Sequence, residues 1–221
     1  MSYKESYTQQ LRSNFLKYTR KAFKSLPKME KPRVLDLGCG SGLLTIELTN
    51  LTNGDIIAID IDKGLLDQLN KKIEERNLTN RITTKRMDLL KNDFQDNYFD
   101  LIWEEGVVQL IGFKKSFKVC HRILKVGGYL VLGQAIKTMD KNQDLITKCG
   151  FELIKQLNWP EDCWWTEYYE PLERKIKEIR EEKENPDIFE NISVIEAEIR
   201  MVKTKLKDSD CAHYILLKKR K

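Results

Sequence analysis

A single run of residues, Val34-Leu-Asp-Leu-Gly-Cys-Gly-Ser-Gly42, constrains the fold of this chain more than any other feature of its sequence. It begins inside a compact apolar segment typical of a buried strand, and the pattern after it, over 43–51, is helical. Glycine is needed where a strand turns sharply into a helix, because a side chain there would keep the backbone away from a ligand lying across the strand end. The sequence therefore predicts a ligand-binding loop between a first strand and the helix that follows it.

Strand and helix patterns alternate along the rest of the chain. Helical periodicity is found over 64–76, 113–124 and 142–149, and strand patterns are found over 33–37, 55–61, 82–86, 99–103, 129–132, 151–157 and 212–218. Such alternation is typical of a parallel sheet with helices on both faces. We therefore expect an α/β fold, with a doubly wound, Rossmann-like, seven-stranded and mostly parallel sheet.

Two segments lie outside this alternation. Residues 3–25 read as one amphipathic helix, and the stretch between the last two strands has helical but no strand character, which predicts a helical lid. The expected organisation is an N-terminal helix, a ligand-binding core, a lid that also binds substrate, and a final strand with a basic tail. The corresponding ranges are 1–27, 28–158, 159–208 and 209–221.

The spacing of the glycine loop indicates which ligand it suits. The run is Asp-x-Gly-x-Gly-x-Gly, not the Gly-x-Gly-x-x-Gly of dinucleotide sites, and its leading Asp36 would crowd a pyrophosphate. A carboxylate here favours a cationic group, such as the ammonium of a methionine moiety. Asp60 ends the next strand, where it can accept hydrogen bonds from a ribose diol.

On these residues the chain resembles the class I S-adenosylmethionine-dependent methyltransferases, with matches over 33–135. A narrower similarity, to poorly characterised prokaryotic members, rests on Asp100-Leu-Ile-Trp-x-Glu-Gly106 and on the stretch from Pro160 to Pro171. The resemblance implies S-adenosylmethionine as cofactor and S-adenosylhomocysteine as product. The cofactor-binding residues that we predict from the motif, the resemblance and the strand ends are Asp36, Gly38, Cys39, Gly40, Asp60, Ile61, Asp88, Leu89 and Glu104.

Within that set the resemblance implies separate roles. Gly38 and Gly40 line the methionine portion, Asp60 holds the ribose hydroxyls, Ile61 packs on the adenine, and Asp88 meets the adenine amino group. These roles are what the resemblance at the motif implies, and the helical and strand periodicity of the chain does not indicate them.

The fourth strand ends in Glu104 and Glu105, at the edge where open sheets handle ligands. Glu105 is the candidate catalytic residue, as a proton acceptor, whereas Glu104 is expected to bind the cofactor; for either, capping of the next helix is the alternative. The substrate-binding candidates are aromatic residues that can enclose a flat or cationic acceptor, or else form the insertion's own core. They are Tyr7, Trp164, Trp165, Tyr168 and Tyr169.

Charge and composition limit the partners. Residues 1–33 hold nine Lys or Arg against two acidic residues, which fits a solvated helix face or, alternatively, an electrostatic footprint for nucleic acid. The tetrapeptides of amino-directed nucleic-acid methyltransferases, Asn or Asp followed by Pro-Pro-Tyr or Phe, are absent after the fourth strand, so nucleic acid is not the expected partner.

The remaining composition predicts a cytoplasmic protein without metal. The five cysteines and two histidines lack metal-ligand spacing, no apolar run approaches the roughly 18 residues of a membrane span, and the first residues lack an apolar signal core. We expect a monomer or homodimer that methylates a small molecule, with the acceptor atom open among nitrogen, oxygen, sulfur and carbon. The alternatives are a protein or RNA methyltransferase and a non-catalytic cofactor-binding module.

Overall fold

A computed structural model describes residues 3–181, 192–204 and 210–219. Its strands are β1 (Arg33–Leu37), β2 (Asp55–Asp60), β3 (Ile82–Arg86), β4 (Phe99–Glu105), β5 (Leu124–Ala135), β6 (Phe151–Asn158) and β7 (Cys211–Lys218). They form one sheet in the order β3-β2-β1-β4-β5-β7-β6, in which β1 to β5 pair in parallel and β7 runs antiparallel to both of its neighbours. The predicted seven-stranded, mostly parallel sheet is confirmed.

Helices flank this sheet on both faces. They are α1 (Tyr3–Ser13), α2 (Leu16–Phe23), α3 (Leu43–Leu51), α4 (Lys63–Glu75), α5 (Val108–Ile111), α6 (Phe113–Ile123), α7 (Ile136–Asp140), α8 (Gln143–Lys148), α9 (Glu170–Glu181) and α10 (Ile192–Thr204). A 3₁₀ turn covers Leu89–Lys91, and a π-helical turn over Trp165–Tyr169 leads into α9. No helix in the described ranges is long and apolar enough to cross a membrane.

Alternate residues of the central strands pack into two separate apolar cores, one on each face of the sheet. In β1, Val34 packs on one face of the sheet and Leu35 on the other, and in β4 Leu101 and Ile102 divide in the same way. These four side chains are fully buried. A strand covered on both faces reads as a continuous apolar run, which is why the strand patterns lack polar alternation.

The N-terminal segment differs from its prediction as a single helix. It is broken at Asn14 and Phe15, whose amides bond to carbonyls three residues back, at Leu11 and Arg12, instead of four. The apolar spacing continues through the break, so the sequence pattern does not reveal it. The turn places Phe15 against the indole of Trp164, with ring centroids 4.3 Å apart.

A third apolar cluster joins the two segments that flank the core in sequence. We call the cap the two N-terminal helices together with 159–181 and α10; its buried residues include Leu11, Phe15, Cys163, Leu172 and Ile195. Tyr18 donates a hydrogen bond to Glu167 across this junction, and Lys17 forms a 2.6 Å ion pair with the same carboxylate. The insertion and the N-terminal helices therefore pack as one layer.

Candidate functional site

A cavity of about 900 Å³ lies between the carboxyl ends of the central strands and the cap. Its floor is the glycine loop after β1 together with the ends of β4 and β5, and its roof comes from the cap helices. The strand order reverses between β1 and β4, and open α/β sheets bind their ligands at such a switch point. The volume lies in the range of small-molecule and cofactor sites.

The glycine loop is held open toward this cavity. The amides of Gly38 and Cys39 donate to the carbonyl of Ile59 at 2.9 and 3.0 Å, which fixes the loop to β2. Gly40 has a φ of +52°, and a Cβ at that position would meet no protein atom within 4 Å. The loop therefore presents bare backbone to whatever occupies the cavity.

Asp36 lies beneath the loop with one oxygen unused. Its Oδ2 accepts a 2.6 Å hydrogen bond from Thr45, whereas its Oδ1 is buried without a partner among the described residues. Burial raises the pKa of this carboxyl to about 7, and the charges of Glu105, Asp60 and Glu104 add to the rise, against the Thr45 hydrogen bond. Buried polar atoms are nearly always paired. Asp36 is 1% exposed and is not among the residues that line the cavity, and its orphaned oxygen would suit a cationic ligand group such as the methionine ammonium of S-adenosylmethionine.

The residues after β2 and β3 stand beside the cavity without lining it. Asp60 accepts from the amides of Gly40 and Asp62, both at 2.9 Å, and is half-buried. Asp88 caps the 3₁₀ turn by accepting from Leu90 at 2.9 Å. Ile61 is 68% exposed, which leaves an apolar side chain open at the strand end.

Two of the predicted cofactor-binding residues, Leu89 and Glu104, do not line the cavity. The side chain of Leu89 is 2% exposed and packs in the core of the sheet. Glu104 is fully buried outside the cavity, where its carboxylate accepts from the amides of Val107 and Val108 and from Gln134. It caps α5, the alternative that the sequence allowed. Burial raises the pKa of Glu104 to about 7 in spite of these hydrogen bonds.

Glu105 lines the cavity and is held by a fixed set of donors. Thr19, Trp103 and His213 lie 3.1, 3.0 and 2.9 Å from its Oε1. Burial raises the pKa of Glu105, but the hydrogen bonds from His213, Trp103 and Thr19 outweigh it, so that the pKa lies below its ordinary value. Glu105 is therefore ionised near neutral pH.

Strand register explains how Glu105 reaches His213. Glu105 pairs with Gly133 of β5, which in turn pairs with His213 of β7. A Cβ at Gly133 would lie 2.8 Å from Cγ of Glu105, so the carboxylate crosses the middle strand over a residue that has no side chain. No local sequence pattern points to this contact.

The aromatic candidates divide into two groups. Trp164, Tyr168 and Tyr169 line the cavity. Trp165 and Tyr7 do not: the ring of Trp165 lies under the ammonium of Lys203, and the hydroxyl of Tyr7 donates to the carbonyl of Pro171. The lining residues that sequence reasoning missed include Arg12, Phe15, Trp159 and Glu198.

Comparison with known proteins agrees with this geometry. Residues 34–128 match a family model described as a methyltransferase domain. The chain is 32% identical to a demethylmenaquinone methyltransferase of Lactobacillus johnsonii over 114 residues, which are 50% of this chain and 47% of that protein. It is 22% identical to a phosphoethanolamine N-methyltransferase of Plasmodium falciparum over 77% of this chain and 71% of that one.

Solved structures share the whole architecture. The [4+2]-cyclase SpnF superposes with a TM-score of 0.76 over 92% of this chain and 81% of its own, at 16% identity, which speaks for the fold alone. The chain spans about half the length of the demethylmenaquinone methyltransferases that it matches. The matched methyltransferase domain, the strand order and the open glycine loop together support a likeness to the class I S-adenosylmethionine-dependent methyltransferases.

Proposed function

We propose that this protein transfers a methyl group from S-adenosylmethionine to a small-molecule acceptor enclosed between the sheet and the cap. The observation that carries the proposal is the cavity itself, which joins the glycine loop and Glu105 on its floor to aromatic residues in its roof. When bound, S-adenosylmethionine supplies a methyl group on a sulfonium, whose carbon–sulfur bond breaks with the electron pair left on sulfur. Since that donor is already activated, alignment of the acceptor can supply most of the catalysis.

The residues that would hold the cofactor follow the strand ends. Asp36 would receive the methionine ammonium, the backbone at Gly38 and Gly40 would face the methionine portion, and Asp60 would bind the ribose hydroxyls. Beyond them, Asp88 would meet the adenine amino group and the exposed side chain of Ile61 would pack against the ring. Cys39 lies in the same loop and lines the cavity.

Hydrogen bonds between the first helix and the glycine loop favour a compact acceptor. Gln9 of α1 donates to the hydroxyl of Ser41 at 2.6 Å, and Lys72 of α4 donates to the carbonyl of Ser41 at 2.7 Å and to Gln9 at 3.2 Å. These bonds tie the first helix across the glycine loop. A cavity covered in this way suits a compact acceptor better than a macromolecular one.

The basic N-terminal segment is partly neutralised within the fold. Arg20 forms two hydrogen bonds with Glu47, at 2.6 and 3.1 Å, and Lys17 pairs with Glu167. Basic side chains that are paired within the fold contribute less to nucleic-acid binding, because that binding needs cations that are free to contact phosphates. This favours a small-molecule acceptor over RNA.

The proposal is tested first by calorimetric titration with S-adenosylmethionine, S-adenosylhomocysteine and NAD. Micromolar binding of the two sulfur compounds with none of NAD is the expected result, followed by transfer of labelled methyl to a small acceptor. Absence of binding would overturn the cofactor assignment. Binding without transfer to any acceptor would support a non-catalytic module, and salt-sensitive retention on RNA would support a macromolecular substrate.

A residue-level control sharpens the test. Asp60→Ala is expected to weaken cofactor affinity by about 1 to 3 kcal/mol, because the ribose hydroxyls would lose their acceptor. Asp55→Ala removes an acidic residue from the opposite, exposed end of β2 and should leave the affinity unchanged. Equal affinities for the two variants would remove Asp60 from the site.

A further inference from the structure

The charges that line the cavity favour a cation. Among the described residues around it, Glu105 and Glu198 contribute carboxylates, and Arg12 contributes a guanidinium. The guanidinium carbon of Arg12 lies 5.8 Å from the ring centroid of Tyr168, which also lines the cavity, so one cation faces two carboxylates. The fixed charge of the lining is therefore negative, and an anionic acceptor would be repelled.

Glu105 has one oxygen to spare for a ligand. Its described hydrogen bonds all converge on Oε1, which leaves Oε2 without a partner in the part of the chain that the structure describes. The side chain is 28% exposed although it lies deep in the fold, because it borders the cavity. Oε2 can therefore accept a hydrogen bond from a bound molecule.

Aromatic rings line a large part of the same cavity. Trp164 lies 4.3 Å from Phe15, 5.7 Å from Tyr168 and 6.3 Å from Tyr169 between ring centroids, and all four residues line the cavity. Trp159 extends this aromatic lining at 5.5 Å from Phe15. Faces of such rings attract ammonium groups, most strongly where water is excluded.

We infer that the acceptor is a small amine, bound with its nitrogen between Oε2 of Glu105 and the aromatic lining. The inference rests on the proposed function and names the substrate class of the same cavity. An ammonium acceptor first releases a proton to water. The nitrogen lone pair then forms a bond to the methyl carbon as the carbon–sulfur bond of the sulfonium breaks, with its electron pair remaining on sulfur. Positive charge passes to nitrogen, where the carboxylate stabilises it.

The state of Glu105 suits this chemistry better than proton abstraction. The donors on Oε1 hold the pKa of the carboxyl low, which makes it a weak proton acceptor but a permanent negative charge. A hydroxyl acceptor would need a stronger base to become nucleophilic. An uncharged amine already carries its lone pair, so a fixed carboxylate that stabilises developing positive charge is sufficient.

The test uses tetramethylammonium and tert-butanol, a cation and an uncharged molecule of similar size, on protein saturated with S-adenosylhomocysteine. Binding is followed by tryptophan fluorescence, since Trp159 and Trp164 line the cavity, and by calorimetry. We expect tetramethylammonium to bind at least tenfold more tightly than tert-butanol. Glu105→Gln should abolish most of this preference, and Glu198→Gln should reduce it if Glu105→Gln fails to fold. Glu161→Gln, an exposed acid of the insertion outside the cavity lining, should keep it.

Equal affinity for the two probes would overturn the inference, as would a preference that survives in both cavity variants. Its failure is distinguishable from failure of the proposed function. Bound S-adenosylhomocysteine without a preference for the cation rejects the amine and keeps the methyltransferase. No binding of S-adenosylhomocysteine rejects the proposed function, and titration of the ligand-free protein with the same probes then reports on the cation site alone.

Discussion

The indole Nε1 of Trp159 lies 3.0 Å from Nδ1 of His213, and this contact agrees with the Glu105 carboxylate in placing the imidazole proton on Nε2. An indole nitrogen can only donate, so Nδ1 must accept. The proton of a neutral imidazole is then on Nε2, which donates to Glu105 at 2.9 Å. A residue of the cap is thus connected through His213 to a carboxylate on the floor of the cavity.

Replacement of Trp159 by Phe is expected to remove the hydrogen bond at Nδ1 of His213 without moving the ring proton. The ionised carboxylate of Glu105 can only accept, so Nε2 keeps its proton, and only the Nδ1 resonance should shift because its donor is lost. Nitrogen-15 spectra of histidine-labelled protein measure the difference directly. Trp165→Phe, which changes an indole outside the cavity lining, is the matched control and should leave the His213 signals unchanged. Protonation of Nδ1 in the wild type would contradict the assignment.

Substitution of Gly40 by Ala should damage ligand binding more than folding. The new methyl group meets no protein atom within 4 Å but projects from the loop that lines the cavity. Gly127→Ala is the matched control, because Gly127 also has a positive φ, +79°, and equally free surroundings, at the amino-terminal part of β5. Both should lose roughly 1 to 2 kcal/mol of stability to left-handed strain. Only Gly40→Ala should weaken S-adenosylhomocysteine binding by tenfold or more in calorimetry; equal affinities would place the ligand elsewhere.

The closure over the glycine loop predicts a kinetic effect. Gln9→Ala removes the hydrogen bond to Ser41, and the loss of about 1 kcal/mol should accelerate dissociation of S-adenosylhomocysteine several-fold. Stopped-flow displacement measures the rate. Gln10→Ala alters the neighbouring exposed glutamine and serves as control. If the two variants release the ligand at the wild-type rate, α1 does not limit exit.

Glu104 should make the protein less stable as pH rises. Its pKa is raised from 4.5 to about 7, so the folded protein retains a proton that the unfolded chain releases near pH 4.5. Stability from this group is complete below pH 4.5 and is lost as pH rises through 7, by roughly 3 kcal/mol in total. Asp36, also raised to about 7, acts in the same direction.

Urea unfolding at pH 5 and pH 7.5 measures this dependence. Glu104→Gln keeps acceptor oxygen for the α5 amides but cannot ionise, so its stability should fall less between the two pH values than that of the wild type. Glu161→Gln, at an exposed position, should retain the wild-type slope. An unchanged slope in Glu104→Gln would show that Glu104 titrates normally.

The sequence predicts the framework because its signals are local. The strand from Arg33 to Leu37 and the helix from Leu43 to Leu51 were both predicted with the bounds observed, since a buried apolar run and a glycine turn mark them directly. The break at Asn14 escaped prediction because the apolar spacing runs through it. Tertiary contacts with Trp164 fix the position of Phe15, and the helical periodicity of the sequence does not reveal these contacts.

The site was only partly predictable for a similar reason. The glycine loop and Asp60 belong to one contiguous strand–loop–helix–strand unit, so their proximity follows from the motif. The contacts among Glu105, His213 and Trp159 join residues up to 108 positions apart, through pairing of β5 with β7. Trp164 and Trp165 are adjacent in sequence, and only the helical phase of the insertion decides which of them faces the cavity.

The residue at position 133 can distinguish related chains that keep the contact between Glu105 and His213 from those that do not. The side chain of Glu105 crosses β5 at this residue, and even a methyl group there would come within 2.8 Å of it. A relative with any other amino acid at the equivalent place must either move its carboxylate or lose the link to the imidazole on the last strand. Glycine at that point, together with Glu on the fourth strand and His on the seventh, therefore forms a three-position signature, which can separate proteins that share this chemistry from those that share only the fold.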